Sequence, residues 1–192
     1  GLNIAQGVEK VEPDTTCFAF VGDSTFFASA ITGVVNAVYN QANMVLVVLD
    51  NSTTAMTDHQ PHPGTGRTVM GEIVQKINIE QVLRGIGVTE IETINPLELE
   101  ASVSCVKRMA EKSGVRAIIF KAPCIAVTKP KAPLHVDQDS CIGCKKCIRD
   151  LGCPAIVMND GKICIDASMC TGCHLCSQVC PVCAIAGGDD HE

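Results

Sequence analysis

TTCFAFVGDSTFFASAITGVVNAVYNQANMVLVVLDN, residues Thr15 to Asn51, decides the fold. Thr15–Val21 is a short apolar run closed by Gly22-Asp23, the pattern of a buried strand. Thr25–Asn40 is long and rich in Ala and Val, and fits a buried helix. Met44–Leu49 is apolar at every position, with no polar alternation, the signature of a strand covered on both faces. Strand, helix and strand in this order describe a parallel crossover unit and an α/β layer fold.

Outward from this stretch the pattern continues. Asn51–Gly71 reads as a polar loop, and Asn78–Arg84 as a short helix. Asn95-Pro96 is expected to open a further helix: Asn can cap, Pro fits the first helical position, and Glu98 stands where a capping box wants it. Ser113-Gly114 ends that helix and Arg116–Lys121 is the next strand. Lys129-Pro130-Lys131-Ala132-Pro133 reads as a linker. The expected division is therefore an α/β parallel-sheet domain over residues 1–129 and a second, small domain over residues 130–192.

Composition narrows the function. With 21 acidic and 15 basic side chains the formal net charge is −6, a poor match to nucleic acid. Aromatic residues make up 3% of the chain, too few for a base-stacking surface. No apolar run approaches the roughly 20 residues that span a bilayer, and no signal peptide is visible, so no membrane partner is expected. The start at Gly1-Leu2-Asn3, without Met, is what a fragment would show. Of 13 cysteines, only Cys17, Cys105 and Cys124 precede the linker. An odd count rules out complete disulfide pairing, and a Cys-rich tail on an ordinary globular body points to a metal or cluster site in a reducing, cytoplasmic setting.

The tail is an internal repeat. Val136-Asp137-x-x-x-Cys141-x-Gly143-Cys144-x-x-Cys147 is matched 29 residues later by Ile165-Asp166-x-x-x-Cys170-x-Gly172-Cys173-x-x-Cys176. Each half ends in Cys-Pro, at Cys153-Pro154 and Cys180-Pro181, followed by Ala155-Ile156 and Ala184-Ile185. The second copy is the C-x2-C-x2-C-x3-C-P run of two-cluster bacterial ferredoxins, in which the fourth cysteine serves the other cluster. Two [4Fe-4S] clusters follow in a small α+β ferredoxin-like domain. One takes Cys141, Cys144, Cys147 and Cys180; the other takes Cys170, Cys173, Cys176 and Cys153. The first copy departs from the run, with five residues between Cys147 and Cys153 instead of three. Zinc is the competing metal, but zinc ribbons use separate CxxC pairs rather than triplets followed by Cys-Pro. Cys164 and Cys183, with Cys17, Cys105 and Cys124, read as small buried apolar residues.

A second constellation sits in the first domain. Gly22-Asp23-Ser24 follows a strand and opens a helix, and Asn51 follows the next strand, 28 residues after Asp23. In a parallel unit both lie at the carboxyl ends of strands, where α/β sheets bind ligands. Asp and Asn supply hard oxygen ligands suited to Mg²⁺, which takes its remaining ligands from phosphates and water. Ser24 and Thr25 stand at a helix N-terminus, which favours an anion. Together they describe a Mg²⁺–diphosphate site. His59-x-x-His62, in the loop after Asn51, is either part of a plain polar surface loop or a device that closes over a cofactor or orients substrate. Gly64-Thr65-Gly66-Arg67-Thr68 lacks the lysine and the leading strand of a phosphate loop.

These residues resemble the thiamine diphosphate motif, and the chain as a whole is similar to the C-terminal part of the alpha subunit in the indolepyruvate ferredoxin oxidoreductase family. The resemblance rests on Gly22-Asp23-Ser24-Thr25-Phe26-Phe27, on Leu49-Asp50-Asn51-Ser52-Thr53-Thr54-Ala55-Met56-Thr57, on His62-Pro63-Gly64-Thr65-Gly66 and on the double cysteine repeat. It implies that Asp23, Asn51 and the backbone carbonyl of Thr53 hold Mg²⁺, and that Gly22, Ser24 and Thr25 meet thiamine diphosphate. It implies oxidative decarboxylation of an aryl 2-oxo acid to an acyl-coenzyme A, with electrons passing through the clusters to an external ferredoxin. It also implies a small beta subunit as partner, an anaerobic host, and an activating Glu outside this stretch of chain. A pyruvate or 2-oxoglutarate ferredoxin oxidoreductase, or a non-catalytic electron-transfer subunit, is the alternative.

Overall fold

A computed structural model describes residues 1–187. The expected second domain runs on to residue 192, and its last five positions lie outside the described residues. The chain divides into two compact units, Gly1–Val127 and a second from Thr128 onward.

The first unit is built on one parallel sheet. Its strands are β1 (Cys17–Gly22), β2 (Met44–Asp50), β3 (Glu90–Ile94) and β4 (Val115–Lys121), in the order β1-β2-β4-β3. β2 is central, and Met44 to Val48 are buried without a break. Alternate residues serve opposite faces. Leu46 and Val48, in register with Ala117 and Ile119, pack on one side with Val34 and Leu83. Val45 and Val47 pack on the other with Ile118, Cys105 and Met109. That two-sided burial is what an unbroken apolar run encodes.

The helices close both faces. Leu2–Val11 forms α1, whose Ala5 joins Ala19, Ala37, Ala42 and Met44, while the buried Gln6 amide donates to Gly33 O at 3.1 Å. After β1 a helical run starts as α2 (Asp23–Thr25), passes through a π-helical turn at Phe26–Ala30 and continues as α3 (Ile31–Tyr39). The helix expected from Thr25 thus begins two residues earlier, at Asp23. Next come α4 (Ile79–Ile86), capped by the Asn78 side chain on Gln81 N–H at 3.1 Å, and α5 (Leu99–Glu111).

Three expectations need correction. α1 and β3 were not expected at all. α5 does not open at Asn95-Pro96: Asn95 Oδ1 accepts from Leu97 N–H at 3.0 Å in a separate turn, and Glu98 is the cap residue rather than the third helical one. Finally, α5 stops at Glu111, before Ser113-Gly114. There the fully buried Arg116 of β4 donates to Met109 O at 3.0 Å, a carbonyl that the helix end leaves open, and to Gly114 O at 2.6 Å in the turn beyond it.

The second unit carries the repeat as a pseudo-two-fold. β5 (Leu134–Val136) pairs antiparallel with β8 (Ile185–Gly187), and β6 (Ile156–Asn159) with β7 (Lys162–Ile165). Each pair therefore joins one strand from each copy. Val136 faces Ile185 in one pair as Ile165 faces Ile156 in the other. Asp137 N–H donates to Ala184 O at 2.8 Å, and Asp166 N–H to Ala155 O at 2.8 Å. Gly143 and Lys145 have φ of +63° and +60°; their counterparts Gly172 and His174 have +67° and +61°. The copies part where the spacing does. α6 (Lys146–Leu151) ends on a left-handed Gly152, φ +59°, before Cys153, whereas α7 (Leu175–Val179) runs directly into Cys180.

Candidate functional site

At the carboxyl edge of the sheet Gly22 pairs with Leu49, so the ends of β1 and β2 lie side by side. Asp23, first residue of α2, is 3% exposed. Its Oδ1 accepts from Ser24 N–H at 2.7 Å and its Oδ2 from Ser52 N–H at 2.8 Å. Ser52 reaches it because its backbone is left-handed, with φ +61°. The same N–H lies 3.0 Å from Asp50 Oδ1, and Lys121 Nζ is 3.4 Å from Asp50 Oδ2. Asn51 turns its Oδ1 to Thr53 N–H at 3.2 Å, and Thr53 is buried. The structure thus brings Asp23, Asn51 and Thr53 to one strand-end cluster, with Ser24 half-buried and Thr25 exposed at the start of the helix.

Burial is the largest influence on Asp23 and raises its carboxyl pKa. The Ser24 N–H and His62 pull it down, and the nearby Asp50 pushes it up. A buried carboxylate facing a second one is a charge arrangement that a cation relieves. Gly22 adds a complementary observation. Its φ of −74° is ordinary, and a Cβ there would meet nothing within 4 Å. Neither backbone nor packing demands glycine, and space stays open over the helix start, as a phosphate group approaching the backbone needs. The residues fit a Mg²⁺–diphosphate group.

His62 differs from the plain surface-loop reading. It is buried, with Nε2 3.2 Å from Asp23 Oδ2 and Nδ1 accepting from Gly64 N–H at 3.1 Å. Phe27 stacks on its ring at 5.8 Å. His59 is exposed, 4.0 Å from Asp58 Oδ1, and is not part of the cluster. Sequence reading missed the roles of Phe27 and Asp50. The hints in the chain were that Phe27, Asp50 and His62 all stand in the stretches that carry the family resemblance, and that His62 precedes Pro63-Gly64, a turn tight enough to fold the imidazole back.

In the second unit the structure gathers both expected cysteine sets. Cys141, Cys144, Cys147 and Cys180 line one apolar cavity with Val136 and Ile185. Cys176 lies within electrostatic reach of Cys173, Cys170 and Cys153. Backbone amides point at the sulfurs: Leu134 N–H to Cys170 Sγ at 3.4 Å, and Ala184 N–H to Cys180 Sγ at 3.3 Å. Such donors stabilise the thiolate charge of a cluster ligand. Burial pushes the Cys147 thiol up and the Cys176 thiol to about 11, so a metal that binds there must expel protons. Among the described residues no three His, Cys, Asp or Glu side chains converge on a single-ion point, and no two cysteines form a disulfide. Thiols spread around a cavity suit a multi-iron group better than one tetrahedral ion.

The remaining cysteines divide. Cys105 is buried in the core of the first unit, as read. Cys17 and Cys164 are half-buried, on β1 and β7, and Cys124 is half-buried past the end of β4. Cys183 corrects the reading outright: it is exposed, with φ +52°, in the turn after Pro181.

Comparison with known proteins covers both units. Residues 1–120 match the family described as thiamine pyrophosphate enzyme, C-terminal TPP binding domain, and residues 134–181 match the 4Fe-4S dicluster domain. The indolepyruvate oxidoreductase subunit IorA of Methanothermobacter thermautotrophicus is 45% identical over 169 residues, 87% of this chain and 27% of that one. The subunit of the same name from Archaeoglobus fulgidus is 40% identical over 173 residues, 87% of this chain and 28% of that one. The chain therefore spans about a quarter of the length of the curated relatives it matches. Among solved structures, a 2-oxoglutarate:ferredoxin oxidoreductase from Magnetococcus marinus, with 2-oxoglutarate, coenzyme A and succinyl-CoA bound, shares the fold at a TM-score of 0.59. It is 20% identical, over 67% of this chain and 46% of that one. Among the described residues no helix is long and apolar enough to cross a membrane.

Proposed function

The chain belongs to the thiamine pyrophosphate enzyme family, and from that premise we propose that it is the cofactor-holding and electron-carrying part of a 2-oxo acid:ferredoxin oxidoreductase acting on indolepyruvate and related aryl acids. The observation that carries this reading is the buried Asp23 carboxylate, set between the Ser24 and Ser52 N–H groups beside Asn51, on the same chain as two four-cysteine sets.

In this reading Asp23, Asn51 and the Thr53 carbonyl hold Mg²⁺, and the start of the helix, with Gly22, Ser24 and Thr25, meets the diphosphate. Thiamine diphosphate, when bound, supplies the chemistry that cleaves the carboxyl carbon from the keto carbon and retains the electron pair. What this chain adds is a path for those electrons. Cys141, Cys144, Cys147 and Cys180 ligate one [4Fe-4S] cluster, and Cys170, Cys173, Cys176 and Cys153 the other. Held by these thiolates, the clusters would supply one-electron carriers toward an external ferredoxin, with the acyl group leaving on coenzyme A. The activating Glu, the substrate pocket and the small beta subunit lie outside this chain. The cysteine usage supports a cytoplasmic setting, and the family resemblance an anaerobic one. The aryl acid is favoured by the identity to proteins named for indolepyruvate, which exceeds that to the 2-oxoglutarate enzyme.

The test is dye reduction by the full-length protein with its partner subunit, purified without oxygen. Indolepyruvate, phenylpyruvate, pyruvate and 2-oxoglutarate are each supplied with and without coenzyme A and thiamine diphosphate. Reduction by the aryl acids that needs both cofactors is expected. Reduction by pyruvate or 2-oxoglutarate alone overturns the substrate class, and no reduction from a protein of full iron content overturns the enzyme reading in favour of an electron-transfer subunit.

A further inference from the structure

His62 is tied into the Asp23 cluster more firmly than a loop residue needs. Its side chain is 4% exposed, and Phe27 stacks on the ring at 5.8 Å. Gly64 sits so close that a Cβ there would lie 3.0 Å from both rings. Nδ1 accepts the Gly64 N–H at 3.1 Å, so in the neutral ring the proton is on Nε2. That nitrogen is buried, 3.2 Å from Asp23 Oδ2, yet off the hydrogen-bond line and without another partner. A small rotation of the carboxylate closes the bond.

The two oxygens of Asp23 are then unlike. Each carboxylate oxygen offers about two lone-pair sites. Oδ2 receives the Ser52 N–H and faces the His62 Nε2–H, which together fill it. Oδ1 receives only the Ser24 N–H, so one site remains open. We infer that His62 is a positioning residue that makes Asp23 a one-oxygen ligand and thereby sets the preference of the site for Mg²⁺ over Ca²⁺. The chemistry supports the link. Mg²⁺ demands near-octahedral geometry with few protein ligands, whereas Ca²⁺ takes larger, irregular shells and readily accepts both oxygens of one carboxylate. Blocking Oδ2 therefore costs Ca²⁺ more than Mg²⁺. The inference rests on the cation reading of Asp23 proposed above.

Two variants separate the roles of the two ring nitrogens. His62→Asn keeps an acceptor for Gly64 N–H and removes the donor toward Asp23. His62→Gln keeps a donor near the Nε2 position and removes the acceptor. Each is made in the full-length protein, with its clusters held oxidised. Mn²⁺ binding in the presence of thiamine diphosphate is followed by loss of the free-ion electron paramagnetic resonance signal, then competed with Mg²⁺ and with Ca²⁺. In His62→Asn the ratio of Ca²⁺ to Mg²⁺ dissociation constants is expected to shrink by about tenfold, the size seen when an outer partner of a metal ligand is removed. In His62→Gln it stays within about threefold of wild type, a conservative rescue on the same scale. Equal loss in both variants, or no change in either, overturns the inference, because His62 then only shapes the loop or does nothing for the cation. If His62→Asn does not fold, as judged by circular dichroism, His62→Ser takes its place, since its short hydroxyl can accept from Gly64 N–H but cannot reach Asp23: a shrunken ratio supports the role and an unchanged one overturns it. A wild-type protein that binds no Mn²⁺ fails differently, by overturning the cation reading itself.

Discussion

Asp23 carries two opposing demands. Burial raises its carboxyl pKa above the usual carboxylate value, so in the metal-free fold the protonated form persists to higher pH than it does in an exposed Asp. The folded pKa exceeds the unfolded one, so Asp23 supports the metal-free fold at low pH and ceases to do so as pH rises through the raised value. A cation needs the ionised form. Mg²⁺ affinity is therefore expected to fall by about tenfold for each pH unit below that raised pKa, with a proton released on binding. Calorimetry in two buffers of different ionisation enthalpy checks the release. Gly64 gives a second residue-scale test. Gly→Ala on an ordinary backbone normally gains about 0.4–1 kcal/mol through the unfolded state. Here the new methyl would press on Phe27 and His62 at 3.0 Å, and overpacking costs about 1–3 kcal/mol. Gly64→Ala is thus expected to be net destabilising by urea denaturation.

At the scale of elements, the cysteine loops make a comparison that the pseudo-symmetry invites. Gly143 and Gly172 occupy equivalent positions with φ of +63° and +67°. A Cβ on Gly143 meets nothing within 4 Å, while one on Gly172 would lie 2.7 Å from the Ala132 carbonyl oxygen. Gly143→Ala should cost only the left-handed backbone penalty, about 1–2 kcal/mol. Gly172→Ala must also move a backbone, and is expected to lower iron and acid-labile sulfide content after anaerobic reconstitution while Gly143→Ala leaves them near wild type. The same scale shows what the sequence made legible. β2 and the Asp23–Tyr39 helical run stand out because the centre of a parallel sheet is apolar at every position. β3 does not, because Glu90, Glu92 and Thr93 leave only two apolar residues in an edge strand whose acids meet Lys112 and Arg108. The cysteine sets were legible because loop spacing alone governs them. The placement of His62 was not, since it depends on a loop of more than ten residues folding back to β1, which no local pattern records.

On the scale of the whole chain, residues 125–133 are exposed throughout, between the two units. Lys129 precedes a proline and resists trypsin, so brief digestion of the native protein is expected to cut after Lys131. Mass spectrometry of the products, with iron analysis of each, should find about eight iron atoms in the C-terminal piece and none in the other. The strand pairing of that second unit has a consequence for synthesis. β5 is the first of its strands to leave the ribosome and β8 the last, yet the two are partners. The earliest-made strand must therefore wait, unpaired, for nearly the entire unit to emerge. With the ligand set proposed above, iron loading on the first triplet of thiols must wait for Cys180 to emerge, and a nascent chain that shows only that triplet would carry three open, oxidisable thiols rather than a half-built cluster.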